Sequence, residues 1–338
     1  MKKSIVALIS FLILIVVIIG LILVFKKDTL IGDPNKVQIV ATLFPQYDIA
    51  EKIAGDKAEV KLLISSGVET HTYEPTAKDM ITIIDNADMF LYTGNELEPW
   101  TEKIVENLKE TDAVIVNVAK DVELIKQEEF EENHVNLEIN MGNSNHNHRA
   151  DEECTEECHE GHNHDEHLYD AHIWQNPKNA IKMLDTILDE LVKTDPENEE
   201  FYKLNADKYR KEIIALDEDL RSIVNESNIK EIAIGGEFAY AYLIEEYDLK
   251  FISVYTNCGH GEDPNITKVK SIIDYINKYK MPVVYYEELS EGTVAKMIAE
   301  ETEAEALVLY SIHNGMPGKD SYVSLFRKNI ENLEKGLK

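Results

Sequence analysis

Between Asn143 and Pro177 the chain reads NSNHNHRADEECTEECHEGHNHDEHLYDAHIWQNP. His146, His148, His159, His162, His164 and His167 lie there with Cys154 and Cys158, among many carboxylates. Imidazole and thiolate are the ligands that borderline-soft cations such as zinc prefer, and carboxylates attract any cation. The run is too polar to bury a core and rich in Gly, Asn, Asp and Glu, so it is expected to be a loop. A merely solvated acidic loop is the plain alternative, but it does not account for six His and two Cys in so short a stretch. The run ends in Asp170-Ala171-His172-Ile173-Trp174-Gln175-Asn176-Pro177, which reads as folded structure.

The whole chain has 338 residues and a formal net charge of −30. That length accommodates two ordinary domains. The charge argues against nucleic acid, whose phosphates require Lys and Arg, and suits a body that collects cations as well as one that is merely soluble. Of the three cysteines, Cys154 and Cys158 sit in the His-rich loop and Cys258 is left over, so no disulfide framework is implied. Near the start, Lys2-Lys3 and Lys26-Lys27 flank an apolar run from Ile5 to Phe25. At about 20 residues it is long enough to cross a bilayer as a helix. It shows no convincing small-residue cleavage site and no nearby cysteine for a lipid anchor. Residues 1–27 are therefore expected to be an uncleaved membrane anchor in preference to a removable signal, with the body exported either way. Residues 28–36, with Gly32 and Pro34, read as a tether.

Beyond the tether, short apolar strands alternate with amphipathic helices. Strands are expected at 37–41, 60–64, 89–92 and 113–116, with helices at 46–54, 77–86 and 97–108 between them. Pro177 stands where a helix would start, and Asp195-Pro196 marks a fresh N-terminus. From Glu197 to Val224 nothing breaks a stripe of Leu204, Tyr209, Ile213, Leu216, Leu220 and Ile223, a helix of roughly 40 Å. Strands at 232–234, 251–255, 283–286 and 307–310 then alternate with helices at 239–246, 266–279, 294–300 and 322–337. Two such sets imply two parallel α/β lobes: 37–194 with the His-rich loop 143–167, and 227–338, joined by a linker helix within 195–226.

In open parallel sheets, ligands bind beyond the carboxyl ends of the strands. Metal-capable residues in that position are His71, His172, Glu237 and His313, two from each lobe, so a cleft between the lobes can bring all four onto one ion. Taken singly, each histidine reads more readily as a surface residue, Glu237 as a charge favoured at a helix N-terminus, and His313 as a hydrogen-bond partner of a helix start. Their common topological position is what joins them. His260 also follows an expected strand and is held in reserve. Glu74 lies close to His71 and Asp170 close to His172, where each can orient an imidazole. Trp174 is expected to anchor the packing.

His71-Thr72-Tyr73-Glu74-Pro75 resembles the H-x-[FY]-E-P motif of the substrate-binding proteins of bacterial zinc and manganese ABC importers, the TroA-like (cluster A-I) family. Asp170 to Pro177 resembles its D-P-H-x-W-x-[DN]-P motif, with Ala171 where proline is usual. A His- and acid-rich loop between those motifs is also similar to zinc members. The resemblance covers about Val37 to Lys338 and implies two α/β lobes joined by one rigid helix. It implies His71 and His172 as the first two ligands and Glu237 as the third. His313 stands where Asp or Glu is usual for the fourth. The cargo is then Zn2+, with Mn2+ the alternative because some manganese members carry Glu at the third position. The implied partners are an ABC permease and its ATPase. Three other readings stay open: a zinc-dependent metallohydrolase with Glu74 as base, a metal buffer, and an adhesin concerned with cell adhesion.

Overall fold

The computed structural model describes residues 33–70, 73–94, 98–133, 168–255 and 266–338. The apolar run 5–25, His71, the His-rich loop 143–167, Cys258 and His260 lie outside the described residues. Among the described residues no helix is long and apolar enough to cross a membrane.

The first lobe pairs β1 (Val37–Ala41), β2 (Ala58–Leu62), β3 (Met89–Tyr92) and β4 (Val114–Asn117) in the order β2-β1-β3-β4. The second repeats this with β5 (Glu231–Ile234), β6 (Lys250–Ser253), β7 (Val283–Tyr286) and β8 (Glu305–Val308), ordered β6-β5-β7-β8. All pairings are parallel. Parallel strands need crossover connections, which here are α1 (Phe44–Ala54), α2 (Ala77–Asn86) and α3 (Thr101–Leu108) in the first lobe. After β4 come α4 (Gln127–Asn133), α5 (Pro177–Thr194) and the long α6 (Glu199–Glu226). The second lobe carries α7 (Ala241–Tyr247), α8 (Ile266–Tyr279), α9 (Thr293–Glu300) and α10 (Tyr322–Leu337). Local chemistry sets several starts. Thr76 and Asp79 form a capping box on α2, and the Asn176 side chain accepts from the Lys178 N–H with Pro177 in the first turn of α5.

The outer faces of the sheets have separate cores, one around Phe90, Ile83 and Ile104 and the other around Ile252, Ile272 and Ile298. The inner faces share one. A single apolar cluster runs from Ile39 and Leu91 through Ile187 on α5 and Leu216 on α6 to Tyr285, Phe326 and Leu333. The 28-residue α6 is thus cemented to both lobes. Its buried stripe is Tyr202, Ala206, Tyr209, Ile213, Leu216, Leu220 and Val224, whereas Leu204 is 70% exposed. The expected stripe slipped at that end because Tyr202, with its hydroxyl on Asp195, takes the inward position.

The insertion after β4 contains α4, which periodicity missed because it is short and has a single apolar residue, Phe130. Phe130 carries it across to the second lobe, stacking on Phe251 and meeting Phe238 at a tilt, both at 5.7 Å. The two stems of the insertion are bridged antiparallel at Lys126 and Tyr169. Gln127 N–H donates to Leu168 O (3.1 Å) and Asp170 N–H to Ile125 O (2.9 Å). Tyr242 on α7 clamps this stem, donating to Asp170 O (3.0 Å) and accepting from Ile125 N–H (3.2 Å).

Two inward carboxyls have a consequence for stability. Glu98 is wholly buried beside Thr93 and Gly94, and burial pushes its carboxyl up to about 7. Asp48 accepts from Tyr209 OH and Tyr322 N–H, tying α1, α6 and α10 together, and burial pushes it up to about 6. A raised carboxyl binds its proton more tightly when folded, so its stabilising contribution is full at low pH and is lost as pH rises through these values. The metal-free protein is expected to melt at a lower temperature at pH 8 than at pH 5.5. In Glu98→Gln the part of that slope near pH 7 should vanish. Calorimetry across this range, with chelator present, decides it; identical slopes in the two proteins would contradict the assignment.

Candidate metal centre

His172 and His313 come from opposite lobes and face each other, ring centroids 5.9 Å apart, and both are almost fully buried. The first is held from its own segment. Asp170 Oδ1 accepts from the His172 backbone N–H (2.7 Å) and lies 3.1 Å from its Nδ1. A carboxylate can only accept, so Nδ1 carries the proton and Nε2 the lone pair. The Trp174 ring meets the imidazole edge-on at 5.6 Å. The short 3-10 turn Ile173–Gln175 keeps this group close-packed against the second lobe.

What it packs against is the turn Ser311–Gly315, beyond β8. Ser311 O accepts from Trp174 Nε1 and from Gln175 Nε2, each at 2.7 Å. Asn314 reaches the other first-lobe loop, accepting from Gly67 N–H (3.1 Å) and donating to Val68 O (3.2 Å). Gly315 lies on the Phe44 ring so closely that a Cβ would stand 2.3 Å from it. This turn is stapled to the first lobe at three points, and His313 sits in its middle. Gly315→Ala is expected to destabilise the protein by about 2 kcal/mol, since the rigid ring must be displaced. Urea denaturation against the parent measures it, and an unchanged midpoint would contradict so tight a contact.

Glu237 follows β5 across Gly235-Gly236, as expected. Its N–H donates to Glu287 Oε2 (2.9 Å), and Gly236 is required there because a Cβ would stand 2.0 Å from that oxygen. Glu237 is half-buried and lines a cavity of ≈ 230 Å³ with Glu287, Glu291 and Tyr255. Among the described residues no group of three His, Cys, Asp or Glu side chains is gathered closely enough to hold an ion. The structure therefore brings His172 and His313 together and places Glu237 at the end of its strand without adding it to them. His71 and His260 lie outside the described residues, as do His146, His148, Cys154, Cys158, His159, His162, His164 and His167. Next to His71, Thr70 is buried, and Tyr73 packs edge-on against Trp100 at 5.5 Å.

Gln175, Ser311, Asn314 and Gly315 escaped the reading of the sequence. Only Gln175 had a signal, its place between Trp174 and Asn176 in a recognisable motif; Ser311 acts through its carbonyl as well as its hydroxyl, Gly315 through having no side chain, and the Asn314 amide had no pattern around it to mark it.

Two four-stranded parallel lobes that share a core along one long helix, with imidazoles from each meeting at their seam, have the architecture of a TroA-like binding protein. The family model described as "ZnuA: Zinc-uptake complex component A periplasmic" matches residues 39–336, and the chain belongs to that family. It is 29% identical over 305 residues to zinc-binding protein AdcA of Streptococcus pyogenes serotype M3, covering 88% of this chain but 56% of AdcA. It is also 29% identical over 308 residues to the high-affinity zinc uptake system protein ZnuA of Bacillus subtilis, covering 90% of this chain and 88% of that one. The crystal structure of the metal-dependent lipoprotein YcdH from Bacillus subtilis superposes with a TM-score of 0.70 at 27% identity, covering 89% of this chain and 99% of that one. The family is one of binding components of uptake systems, not of enzymes, and the metallohydrolase reading falls with that finding.

Proposed function

We propose that this chain captures Zn2+ outside the cytoplasm, at the seam between its lobes, and delivers it to an ABC permease driven by its ATPase. The observation that carries this reading is the pair His172 and His313, contributed by opposite lobes and facing each other at 5.9 Å. His71 and Glu237 complete the proposed set, and three imidazoles with one carboxylate suit tetrahedral zinc. The cation is cargo, so a closed shell without a water position is what binding requires. Residues 1–27 would hold the body at the outer face of the membrane. The carboxylate of Glu237 is the feature that keeps manganese as the second reading, because that ion favours oxygen.

Titration of residues 29–338 with zinc and with manganese, with and without residues 143–167, tests the proposal. One tight zinc site should survive the deletion, while weaker sites due to the His-rich loop disappear. Binding should weaken on acidification, because protonated imidazole cannot coordinate. A tight site that persists in His71→Ala, or one that prefers manganese, would overturn the zinc assignment as stated.

A further inference from the structure

Glu288 has no place in the proposed ligand set, yet its carboxylate organises the turn that carries His313. It accepts from Ser311 N–H (2.8 Å, Oε2) and from Ser311 Oγ (2.9 Å, Oε1). Ile312 is the reason these donors converge. Its φ is +66°, a left-handed conformation that a β-branched side chain disfavours, and such a turn persists only when its surroundings over-determine it. Glu288 from one side, with Trp174 and Gln175 on Ser311 O from the other, supply that determination.

The same carboxylate reaches the imidazole. Ser311 Oγ lies 3.4 Å from His313 Nε2. A hydroxyl has a single proton to give, and here it is directed to Glu288 Oε1, so Ser311 can only accept from the histidine. A hydrogen bond from His313 to that oxygen would place the ring proton on Nε2 and leave the lone pair on Nδ1. His172 is arranged the other way round, with Nδ1–H on Asp170 and the lone pair on Nε2. The two lone-pair nitrogens, His172 Nε2 and His313 Nδ1, both lie in the buried interior.

We propose that Glu288 is a positioning residue for cation capture: through Ser311 it fixes the tautomer and orientation of His313, so that Nδ1 is presented to the ion. This rests on the reading of His313 as a ligand. It adds a group that never touches the cation but decides which atom does, as outer partners of metal-bound histidines do.

The test is the tautomeric state of His313, read by long-range 1H–15N correlation on the metal-free full chain labelled in histidine, together with zinc affinity by chelator competition. In the parent, His313 should show the Nε2–H form. Glu288→Gln replaces one acceptor oxygen by a donor amide, which lets the Ser311 hydroxyl turn and donate to Nε2. His313 should then shift toward the Nδ1–H form, and zinc affinity should fall roughly 10- to 100-fold. Ser311→Ala, a smaller change, should leave the two tautomers mixed and weaken zinc by a similar factor. An Nδ1–H form in the parent overturns the proposal, as does parental tautomer and affinity in Glu288→Gln. The outcomes separate from the underlying reading: if His313→Ala keeps parental zinc affinity, the ligand assignment is what fails. If it loses affinity while Glu288→Gln does not, only the role of Glu288 fails.

Discussion

Trp174→Ala is expected to remove about 4 kcal/mol of folding stability and to weaken zinc binding in whatever fraction still folds. The indole is fully buried in the core that the two lobes share, so its loss opens a large cavity with no solvent to fill it. It also donates to Ser311 O, and the Trp174 carbonyl accepts from Tyr322 OH (2.8 Å), so one residue links the His172 segment to the His313 turn and to α10. Trp174→Phe separates the contributions. It keeps most of the volume and loses the N–H, and should cost only about 1–2 kcal/mol, the scale of one buried hydrogen bond. Urea denaturation of the metal-free proteins measures both; an alanine variant within 1 kcal/mol of the parent would contradict the shared core.

His172→Ala is expected to weaken zinc about 100-fold while leaving the fold intact. Structural zinc sites with four protein ligands bind with about 10–16 kcal/mol, so one ligand contributes on the order of 3 kcal/mol, which is about two decades in Kd. The ring is buried but small and sits at the seam, not in the apolar cluster, so the melting temperature of the metal-free protein should change little. His172→Ala with parental affinity would remove the pair on which the functional reading stands. A large fall in stability with no separable loss of affinity would make His172 a packing residue.

Much of the fold was legible because both sheets are parallel and buried on two faces, which writes each strand as an apolar run between amphipathic helices. Ala77–Asn86, Met89–Tyr92 and Ile266–Tyr279 carry their limits in that pattern. The strands at 60–64 and 307–310 were placed two residues late, since their last apolar residues already belong to the loops beyond Leu62 and Val308. The helix at 97–108 begins only at Thr101, after Pro99 and a turn. His172 was expected beyond a long insertion after β4, and so it lies; what had no apolar period to announce it was α4 and the pinned stem within that insertion. The facing pair His172 and His313, with Asp170 beside the first, could be picked out because their chemistry is in their side chains. The turn that holds His313 could not, because it works through carbonyls, a positive φ and a missing Cβ. Glu288 looks like any other acidic residue in Glu287-Glu288-Leu289-Ser290-Glu291 until its neighbours are known.

The bridge between Lys126 and Tyr169 sets a distance scale. Whatever path the residues between its strands take, they leave and rejoin the body within one hydrogen bond of each other, three positions along the chain from His172. An ion held anywhere on a segment so closed is confined to a few tens of ångströms around the centre, which corresponds to an effective concentration in the millimolar range. When external zinc is scarce, the centre would then respond to that confined reservoir. Lengthening the segment would dilute it slowly, cutting one stem would dilute it further, and only release from both stems would abolish it.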